Sequence, residues 1–471
     1  MKQLIRNLKI ALVMLLIFSL ALGAGLVYQQ QQSQTTLLAV AGENKAALRQ
    51  RYAQAGQILS RDGVVLASSE NGERVYAEDL TLQRSLSQLV GDYTHHMSNT
   101  IETQYQSELL GNQRNVMEQF LLDVTGRGLQ GSDIHLTIHA LLNEFVYEQM
   151  KNRTGSAVLL NYKTGEILAM VSTPATTMAN IVAYKDIPDT ALFNRSLNGR
   201  YAPGSTFKIM TSAAWLSSGK FDPAYTLECN GDPVRANGAR DRGHGTVNLD
   251  TAFTLSCNVF FGEATVKVGA KNFYDYLVNA GLGRLNSLDR LSVSPARYQN
   301  SAAADDRALL SWFGTGQPVG DLVLNITPLE LALMSGAVAN GGNLVEPHVV
   351  RYINNPLNQK REEAQTTVAG RMFSPQVATR LQQMMLEAVA SGDSIQTNAR
   401  IEGLDVGGKS GTVEIGTGSK QTINALWTGF LADPEHPYAV AVVVENASGT
   451  NTTAVAIGGQ ILKEAARYEG G

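Results

Sequence analysis

The sequence has few cysteines. Its 471 residues include only two, Cys229 and Cys257. Neither belongs to a CxxC pair or to a Cys/His cluster along the chain, so the spacing predicts no metal site, and structural zinc in particular is disfavoured. An exported chain would join the two thiols in one disulfide, whereas two free buried thiols are the plainer interpretation. The sequence leaves both alternatives open.

Long runs of basic residues are also missing. The formal net charge is −4 and the sequence pI is near 6.0. Proteins that bind nucleic acid in general neutralise its phosphates with clustered Lys and Arg, so this class of function is excluded. Hydrophobic residues make up 44% of the chain, which is enough for a large core. The length suits two or three domains.

A long apolar run lies near the N-terminus. Lys2, Arg6 and Lys9 precede residues 10–28, which are apolar apart from Ser19 and two glycines. At 1.5 Å per residue the run spans about 28 Å, close to the hydrocarbon thickness of a bilayer. The basic residues in front of it place the N-terminus in the cytoplasm and the rest of the chain outside. The run is longer than the core of a cleaved signal peptide, which favours an uncleaved single-pass anchor.

The remaining chain divides into two patterns. Residues 56–69 alternate and turn at Asp62-Gly63, which predicts a hairpin, and residues 70–130 show no strong periodicity. Residues 155–173 read as two apolar strands around a Lys-Thr-Gly turn. Further helices and strands follow up to the C-terminus. The pattern predicts one mixed α/β domain from about residue 150 to 467, with helical segments at 205–218, 250–268 and 327–339.

The stretch "RYAPGSTFKIM" carries a candidate nucleophile and its base. Ser205 and Lys208 are three residues apart and would share one face of a helix. A serine becomes a nucleophile when a base takes its proton, and a lysine can do so only when it is neutral. The spacing alone is weak, because Ser217 and Lys220 have it too. That second pair straddles a helix end at Gly219.

Two further motifs follow in a specific order. "LSCN" supplies Ser256 and Asn258, which an extended turn would place on one side with Cys257 pointing away. "GKSGTVE" predicts an edge strand, in which Gly411 lets a substrate backbone approach and Lys409 adds positive charge for an anionic peptide tail. The ordered set Ser-x-x-Lys, Ser-x-Asn, Lys-Ser/Thr-Gly is the signature of penicillin-binding proteins and β-lactamases.

With these motifs the chain resembles a class B penicillin-binding protein, a monofunctional peptidoglycan transpeptidase. "GQILSRDGVVLA", "IETQYQSELLG", "AVLLNYKTGEILAMVSTP" and "ITPLELALMSGAVANGG" are similar to other segments of that family. The resemblance implies an α/β serine transpeptidase domain, β-lactamase-like, with a central antiparallel sheet flanked by helices. It also implies three parts: the cytoplasmic tip and transmembrane anchor (residues 1–30), a small mixed accessory domain (31–150) and the transpeptidase domain (151–471).

The resemblance also implies roles for the catalytic residues. Ser205 would be acylated by the D-Ala-D-Ala end of a stem peptide, with Lys208 as its base. Ser256 would relay a proton to the leaving D-alanine, and Asn258 would hold the substrate amide. Lys409 would add positive charge. No cofactor is implied.

Substrate binding is assigned by the same resemblance to the third motif. Lys409, Ser410 and Thr412 would bind the terminal carboxylate beside Gly411. The backbone N–H groups of Ser205 and Thr412 would form the oxyanion hole.

The implied function is cross-linking of peptidoglycan stem peptides, inhibited covalently by β-lactams. The implied partner is a membrane-embedded glycan polymerase that contacts the anchor. The alternatives are a D,D-carboxypeptidase, a β-lactamase or a non-enzymatic β-lactam-binding scaffold. A β-lactamase would normally lack the accessory region and have a shorter interval than the 153 residues between Ser256 and Lys409. A scaffold would be expected to have lost a catalytic residue, and none is missing.

Overall fold

The computed structural model describes residues 2–40, 45–114, 116–128, 130–231, 243–298, 306–317, 323–392, 394–416, 422–447 and 452–468, with side chains except at 4, 24–48 and 452. Its helices are α1 (Lys2–Val40), α2 (Lys45–Tyr52), α3 (Leu80–Val90), α4 (Ile101–Gln104), α5 (Gln106–Leu109), α6 (Val116–Val124), α7 (Ala140–Met150), α8 (Met178–Ala183), α9 (Arg195–Asn198), α10 (Lys208–Ser217), α11 (Leu249–Thr254), α12 (Asn258–Val268), α13 (Ala270–Asn279), α14 (Arg307–Gly314), α15 (Pro328–Ala339), α16 (Pro375–Ala390) and α17 (Thr452–Ala465). Two 3₁₀ turns are η1 (Gly204–Phe207) and η2 (Ile395–Ala399).

The strands are β1 (Ile58–Leu59), β2 (Val65–Glu70), β3 (Glu73–Tyr76), β4 (Asp133–Leu136), β5 (Thr154–Asn161), β6 (Ile167–Thr173), β7 (Leu227–Cys229), β8 (Gly245–Val247), β9 (Ser287–Leu288), β10 (Leu291–Ser292), β11 (Arg297–Tyr298), β12 (Leu324–Asn325), β13 (Asn343–Val345), β14 (Val350–Asn354), β15 (Lys360–Glu363), β16 (Val368–Arg371), β17 (Val406–Ile415), β18 (Thr422–Leu431) and β19 (Tyr438–Glu445).

Helix α1 contains the apolar N-terminal run. Its segment Ile5–Gly23 is long and apolar enough to cross a membrane, and no other helix of the described residues is. The segment starts five residues before the run that the sequence suggested. The backbone stays helical to Val40, so the glutamine-rich stretch after the anchor continues the helix.

One of the two large sheets has six strands in the order β15-β14-β4-β1-β2-β3. The β1–β2 hairpin turns at Asp62-Gly63 as predicted, and Gly63 has φ 78°, which favours glycine. Helix α3, capped by Asp79, was not predicted from the sequence. Strands β14 and β15 come from the C-terminal part of the chain and complete this sheet. The division at residues 150 and 151 therefore stays a prediction, because one sheet draws on both sides of it.

The second large sheet is antiparallel, with the order β17-β18-β19-β5-β6. It contains the predicted hairpin of residues 155–173, as β5 and β6, together with β17 and the strands β18 and β19 near the C-terminus. Helix α15, which matches the predicted segment 327–339, packs on one face, and Thr327 caps it with Pro328 as its first residue. Helices α7 and α17 pack on the other face. The predicted α/β fold class, a central antiparallel sheet flanked by helices, is confirmed.

The two predicted helices that carry the first and second motifs are interrupted at the motifs themselves. The first begins as the 3₁₀ turn η1 and becomes α-helical only at Lys208. The segment 250–268 is two helices, α11 and α12, because Ser256 has φ 56° between them. Both interruptions face the edge strand β17, and they form the candidate site.

Candidate active site

Ser205 lies at the tight entry to helix α10. Gly204 has φ 53°, and a Cβ atom there would lie 2.9 Å from the carbonyl oxygen of Thr412. A Cβ on Gly411 would lie 2.6 Å from the carbonyl oxygen of Pro203. Both positions require glycine, because the backbones of η1 and β17 are in direct contact. This contact brings the backbone of Ser205 next to that of Thr412.

The amine of Lys208 points from the first turn of α10 into the second motif. Its side chain is fully buried. The Nζ atom donates to the carbonyl oxygen of Ser256 at 2.6 Å, to Asn258 Oδ1 at 2.7 Å and to Ser256 Oγ at 3.2 Å. The ring of Phe261 lies 5.5 Å from the same nitrogen. The lysine of the first motif and both polar residues of the second are therefore held together.

Lys409, from strand β17, approaches the same hydroxyl. Its Nζ atom is 3.0 Å from Ser256 Oγ, and its side chain is fully buried on β17. Burial lowers the pKa of Lys409 to about 7, because the ammonium loses its hydration. Ser256 Oγ thus lies between two amines, one from each neighbouring motif. This arrangement allows a proton to pass between Lys208 and Ser256.

The backbone of Thr412 faces the free edge of the sheet. Its carbonyl oxygen accepts a hydrogen bond from Gln317 Nε2 at 2.9 Å, outside the β17–β18 ladder. The N–H and C=O groups of a strand residue point to the same side, so the Thr412 N–H also faces η1. This placement supports the predicted oxyanion hole of Ser205 and Thr412, which stays a prediction.

The hydroxyl of Ser410 lies away from the cleft. Successive side chains of a strand point to opposite faces, and Lys409 occupies the cleft face. Gln396 Nε2 donates to Ser410 Oγ at 2.8 Å, and Trp427 Nε1 donates to Gln396 Oε1 at 3.0 Å. All three side chains are buried. The Ser410 hydroxyl therefore anchors β17 from behind in this structure, and the predicted contact of Ser410 with the substrate carboxylate stays a prediction.

Gln396 supports the third motif. It could not be predicted from the sequence, because it lies in an aperiodic polar segment. Replacing Gln396 with leucine leaves Ser410 Oγ and Trp427 Nε1 without this partner. We expect the free energy of unfolding to fall by roughly 1–3 kcal/mol for each buried group left unpaired. Thermal unfolding measures this loss, and acylation by a fluorescent penicillin should slow in parallel because β17 loses its support. Gln365, which is exposed, supplies the matched Gln→Leu control. An unchanged midpoint in Gln396→Leu would contradict the role.

The second Ser-x-x-Lys pair has a structural role. Lys220 Nζ donates to the carbonyl oxygen of Lys267 at 2.9 Å, at the C-terminal end of α12, where a positive charge is favourable. Ser217 is the last residue of α10. This pair is therefore separate from the three motifs. Asn71, in the Ser-x-Asn triplet Ser69-Glu70-Asn71, has φ 50° in the turn between β2 and β3.

A cluster of metal-ligating groups lies behind the second motif. Cys229, His244 and Cys257 each offer one ligand atom, and these atoms lie within 4.8 Å of one another. Both cysteines are buried free thiols. Burial raises the pKa of Cys257 to about 11, so its thiol is protonated at neutral pH unless another group displaces the proton. The sequence did not predict this cluster, because its members are far apart along the chain.

Comparison with known proteins places the chain in a family. Residues 155–466 match the model of the penicillin binding protein transpeptidase domain. The chain is 29% identical over 434 residues to the peptidoglycan D,D-transpeptidase PbpA of Mycolicibacterium smegmatis, covering 86% of each. It is 26% identical over 398 residues to stage V sporulation protein D of Bacillus subtilis, covering 77% of this chain and 59% of the relative.

Solved structures agree with the sequence comparison. The ceftriaxone acyl-enzyme complex of penicillin-binding protein A from M. tuberculosis superposes with a TM-score of 0.77 at 27% identity, covering 89% of this chain and 99% of that one. The imipenem acyl-enzyme complex gives a TM-score of 0.76. The chain therefore belongs to the penicillin-binding protein transpeptidase family, in class B, as its motifs predicted.

Proposed function

We propose that the chain is a serine D,D-transpeptidase that cross-links peptidoglycan stem peptides. One observation carries the proposal. Lys208 of the first motif and Lys409 of the third both lie within hydrogen-bond distance of Ser256 Oγ of the second, next to the turn that holds Ser205. Relatives named peptidoglycan D,D-transpeptidases and structures of β-lactam acyl-enzymes support the substrate class and the mode of inhibition.

The first half of the reaction makes an acyl-enzyme. Ser205 Oγ attacks the carbonyl carbon of the D-Ala-D-Ala bond while neutral Lys208 takes its proton. The C–N bond then breaks, and the departing D-alanine amine receives a proton through Ser256, which is within hydrogen-bond distance of Lys208 Nζ. The oxygen that becomes negative in between is held by the N–H groups of Ser205 and Thr412.

The second half transfers the acyl group to an amine. The amine of a neighbouring stem peptide attacks the ester carbonyl and gives up a proton to Lys208 through Ser256, the new C–N bond forms, and Ser205 Oγ leaves with the proton that Lys208 returns. A β-lactam follows only the first half, because its leaving amine stays tethered to the acyl group. We expect Ser205 to be the residue that penicillins acylate.

We propose that the substrate binds along the outer edge of β17. Its outer side packs against η1 at Gly411, so we propose that a substrate backbone adds as a further strand beyond that contact, from Thr412 onward. The ammonium form of Lys409 supplies charge for the terminal carboxylate. Asn258, whose Oδ1 accepts from Lys208, is placed to hold the substrate amide through its NH₂ group.

The N-terminal helix supports a membrane location. Lys2, Arg6 and Lys9 cluster at the N-terminal end of α1, before and within the first residues of the segment Ile5–Gly23, so we propose that the N-terminus is cytoplasmic and the catalytic domain extracytoplasmic. A glycan polymerase embedded in the same membrane is the proposed partner, since cross-linking acts on strands that such an enzyme makes. The anchor is the proposed contact.

Product analysis tests the activity. The full chain in detergent is incubated with a stem peptide ending in D-Ala-D-Ala and an acceptor amine of the stem-peptide class. We expect released D-alanine and cross-linked peptide in equal amounts, both lost after treatment with penicillin. Release of D-alanine without cross-linked product would identify a carboxypeptidase. Rapid release of hydrolysed penicillin would identify a β-lactamase. Either result would overturn the proposal.

A further inference from the structure

Three metal-ligating side chains from separate elements meet directly behind Ser256. Cys229 ends β7, and His244 immediately precedes β8, its antiparallel partner. Cys257 is the last of the three residues that link α11 and α12. The β7–β8 hairpin thus supplies two of the groups, and the middle residue of the second motif supplies the third.

The separations of the ligand atoms fit a tetrahedral metal. Cys229 Sγ is 3.4 Å from His244 Nδ1, and all three ligand atoms lie within 4.8 Å of one another. Tetrahedral zinc bonds of about 2.3 Å to sulfur and about 2.0 Å to nitrogen place neighbouring ligand atoms roughly 3.5–3.8 Å apart. An ion at the centre requires only small movements of the three side chains.

The surroundings also suit thiolate ligands. Cys257 is the N-cap of the eleven-residue helix α12, and its Sγ accepts a hydrogen bond from the Phe260 N–H at 3.4 Å. A helix N-terminus favours negative charge, and an N–H donor to a ligating sulfur is a common outer contact of such sites. Both sulfur atoms belong to buried residues, whereas His244 is half-buried and offers the route of entry.

We propose that Cys229, His244 and Cys257 bind one zinc ion, with water or a further ligand in the fourth position. Thiolate and imidazole ligands in tetrahedral arrangement select zinc among common divalent ions. Binding replaces the protons of two thiols with one Zn²⁺ and releases two protons to solvent. A disulfide would need only the two cysteines and leaves the placement of His244 unexplained.

Zinc at this position would fix the geometry of the second motif. Cys257 is bonded through its backbone to both Ser256 and Asn258, and Ser256 has a left-handed backbone that non-glycine residues rarely adopt. A bond from Cys257 to an ion held by the β7–β8 hairpin restrains that backbone from behind. This effect on catalysis rests on the proposed function, whereas zinc binding itself does not.

Metal analysis of the full chain tests the site. The chain is purified in detergent under reducing conditions, and its zinc content is measured directly and after addition of Zn²⁺ to chelator-treated protein. We expect one zinc per chain in the wild type and loss of binding in Cys229→Ser and His244→Gln. His436→Gln is the matched control, because His436 is a half-buried histidine paired with Asp433 on the β18–β19 turn. The His436→Gln variant should keep its zinc.

A second measurement reports on the second motif. Removal of zinc is expected to slow acylation by penicillin about tenfold or more, since small displacements of catalytic groups have effects of this size, and added Zn²⁺ should restore the rate. Absence of zinc from reduced wild-type protein after zinc addition would overturn the site. So would unchanged zinc binding by His244→Gln, or a Cys229–Cys257 disulfide in protein purified without reductant that carries no metal. Zinc binding without any effect on acylation would overturn only the link to catalysis.

Discussion

Replacement of Ser205 with alanine is expected to abolish covalent labelling by a fluorescent penicillin while the protein still folds. The ester that holds the drug needs the Ser205 hydroxyl, and alanine has no atom to replace it. We expect the acylation rate to fall by roughly 10³ or more, below detection on a gel. Unfolding should be nearly unchanged, because Ser205 is only half-buried in a 3₁₀ turn and alanine suits a helical backbone. Intact mass and thermal unfolding measure the two effects.

The chain offers a matched control for this experiment. Ser217 has the same spacing to a lysine as Ser205, but Lys220 caps the end of α12 and lies outside the three-motif cluster. Ser217→Ala should therefore be labelled like the wild type. Labelling of Ser205→Ala at the wild-type rate, or loss of labelling in Ser217→Ala with an intact fold, would contradict the assignment of the nucleophile.

The sequence could identify the motifs because their order is specific, but it could not separate the two Ser-x-x-Lys pairs by spacing. The two motifs that follow along the chain favoured Ser205 and Lys208 as the catalytic pair. The physical difference is tertiary: β17 and the second motif approach Lys208, whereas the end of α12 approaches Lys220. Strands 155–173 and the cap at Thr327 were predictable, because alternation and capping are local properties.

The contact of the Ser410 hydroxyl behind β17 could not be predicted from the sequence, for a physical reason. Alternation along β17 implies that Lys409 and Ser410 face opposite sides, and this much is local. The strand is buried on both faces, however, so its hydrophobic pattern does not show which side is the cleft. Gln396 and Trp427, which occupy the other side, come from elsewhere in the chain.

For the metal-ligating cluster, spacing along the chain led to the opposite error: it disfavoured a metal site where three ligand atoms lie close together. Cys229 and His244 are 15 residues apart, and Cys257 follows on another element. Known zinc patterns place at least two ligands within one short motif, which is why the sequence disfavoured a metal. The left-handed turn at Ser256 brings Cys257 to the hairpin. The motif predicted a turn there with Cys257 pointing away, but the local sequence does not show that Cys229 and His244 lie next to that thiol.

Replacement of Lys409 with methionine is expected to lower activity and raise stability at neutral pH. Activity falls because the ammonium beside Ser256 Oγ is lost, and the rate of acylation should drop by roughly 10²–10³, as for other preorganised charges. Stability rises because the wild type buries a cation. Its pKa falls on folding from 10.5 to about 7, which corresponds to a penalty of the order of 5 kcal/mol at about 1.4 kcal/mol per unit, before the lost hydrogen bond is subtracted.

The two effects have opposite dependence on pH. Between pH of about 7 and 10.5 the unfolded chain holds a proton that the folded chain has released, so wild-type stability rises with pH through this window. The gain in unfolding temperature of Lys409→Met should therefore be largest at pH 7 and below, and it should disappear near pH 10.5. In activity, the charge of Lys409 is lost as pH rises through about 7, so wild-type acylation should decline there, and the variant should lack that decline.

A matched control separates the buried cation from lysine removal in general. Lys271 is exposed and pairs with Asp275 on α13, so Lys271→Met should leave both the acylation rate and the unfolding temperature close to the wild type. If Lys409→Met unfolds at a lower temperature than the wild type at pH 7 and the difference does not depend on pH, Lys409 is not a destabilised cation in the resting protein. Its contact with Ser256 would then stabilise the site, and the charge that holds the carboxylate would have to come from another residue.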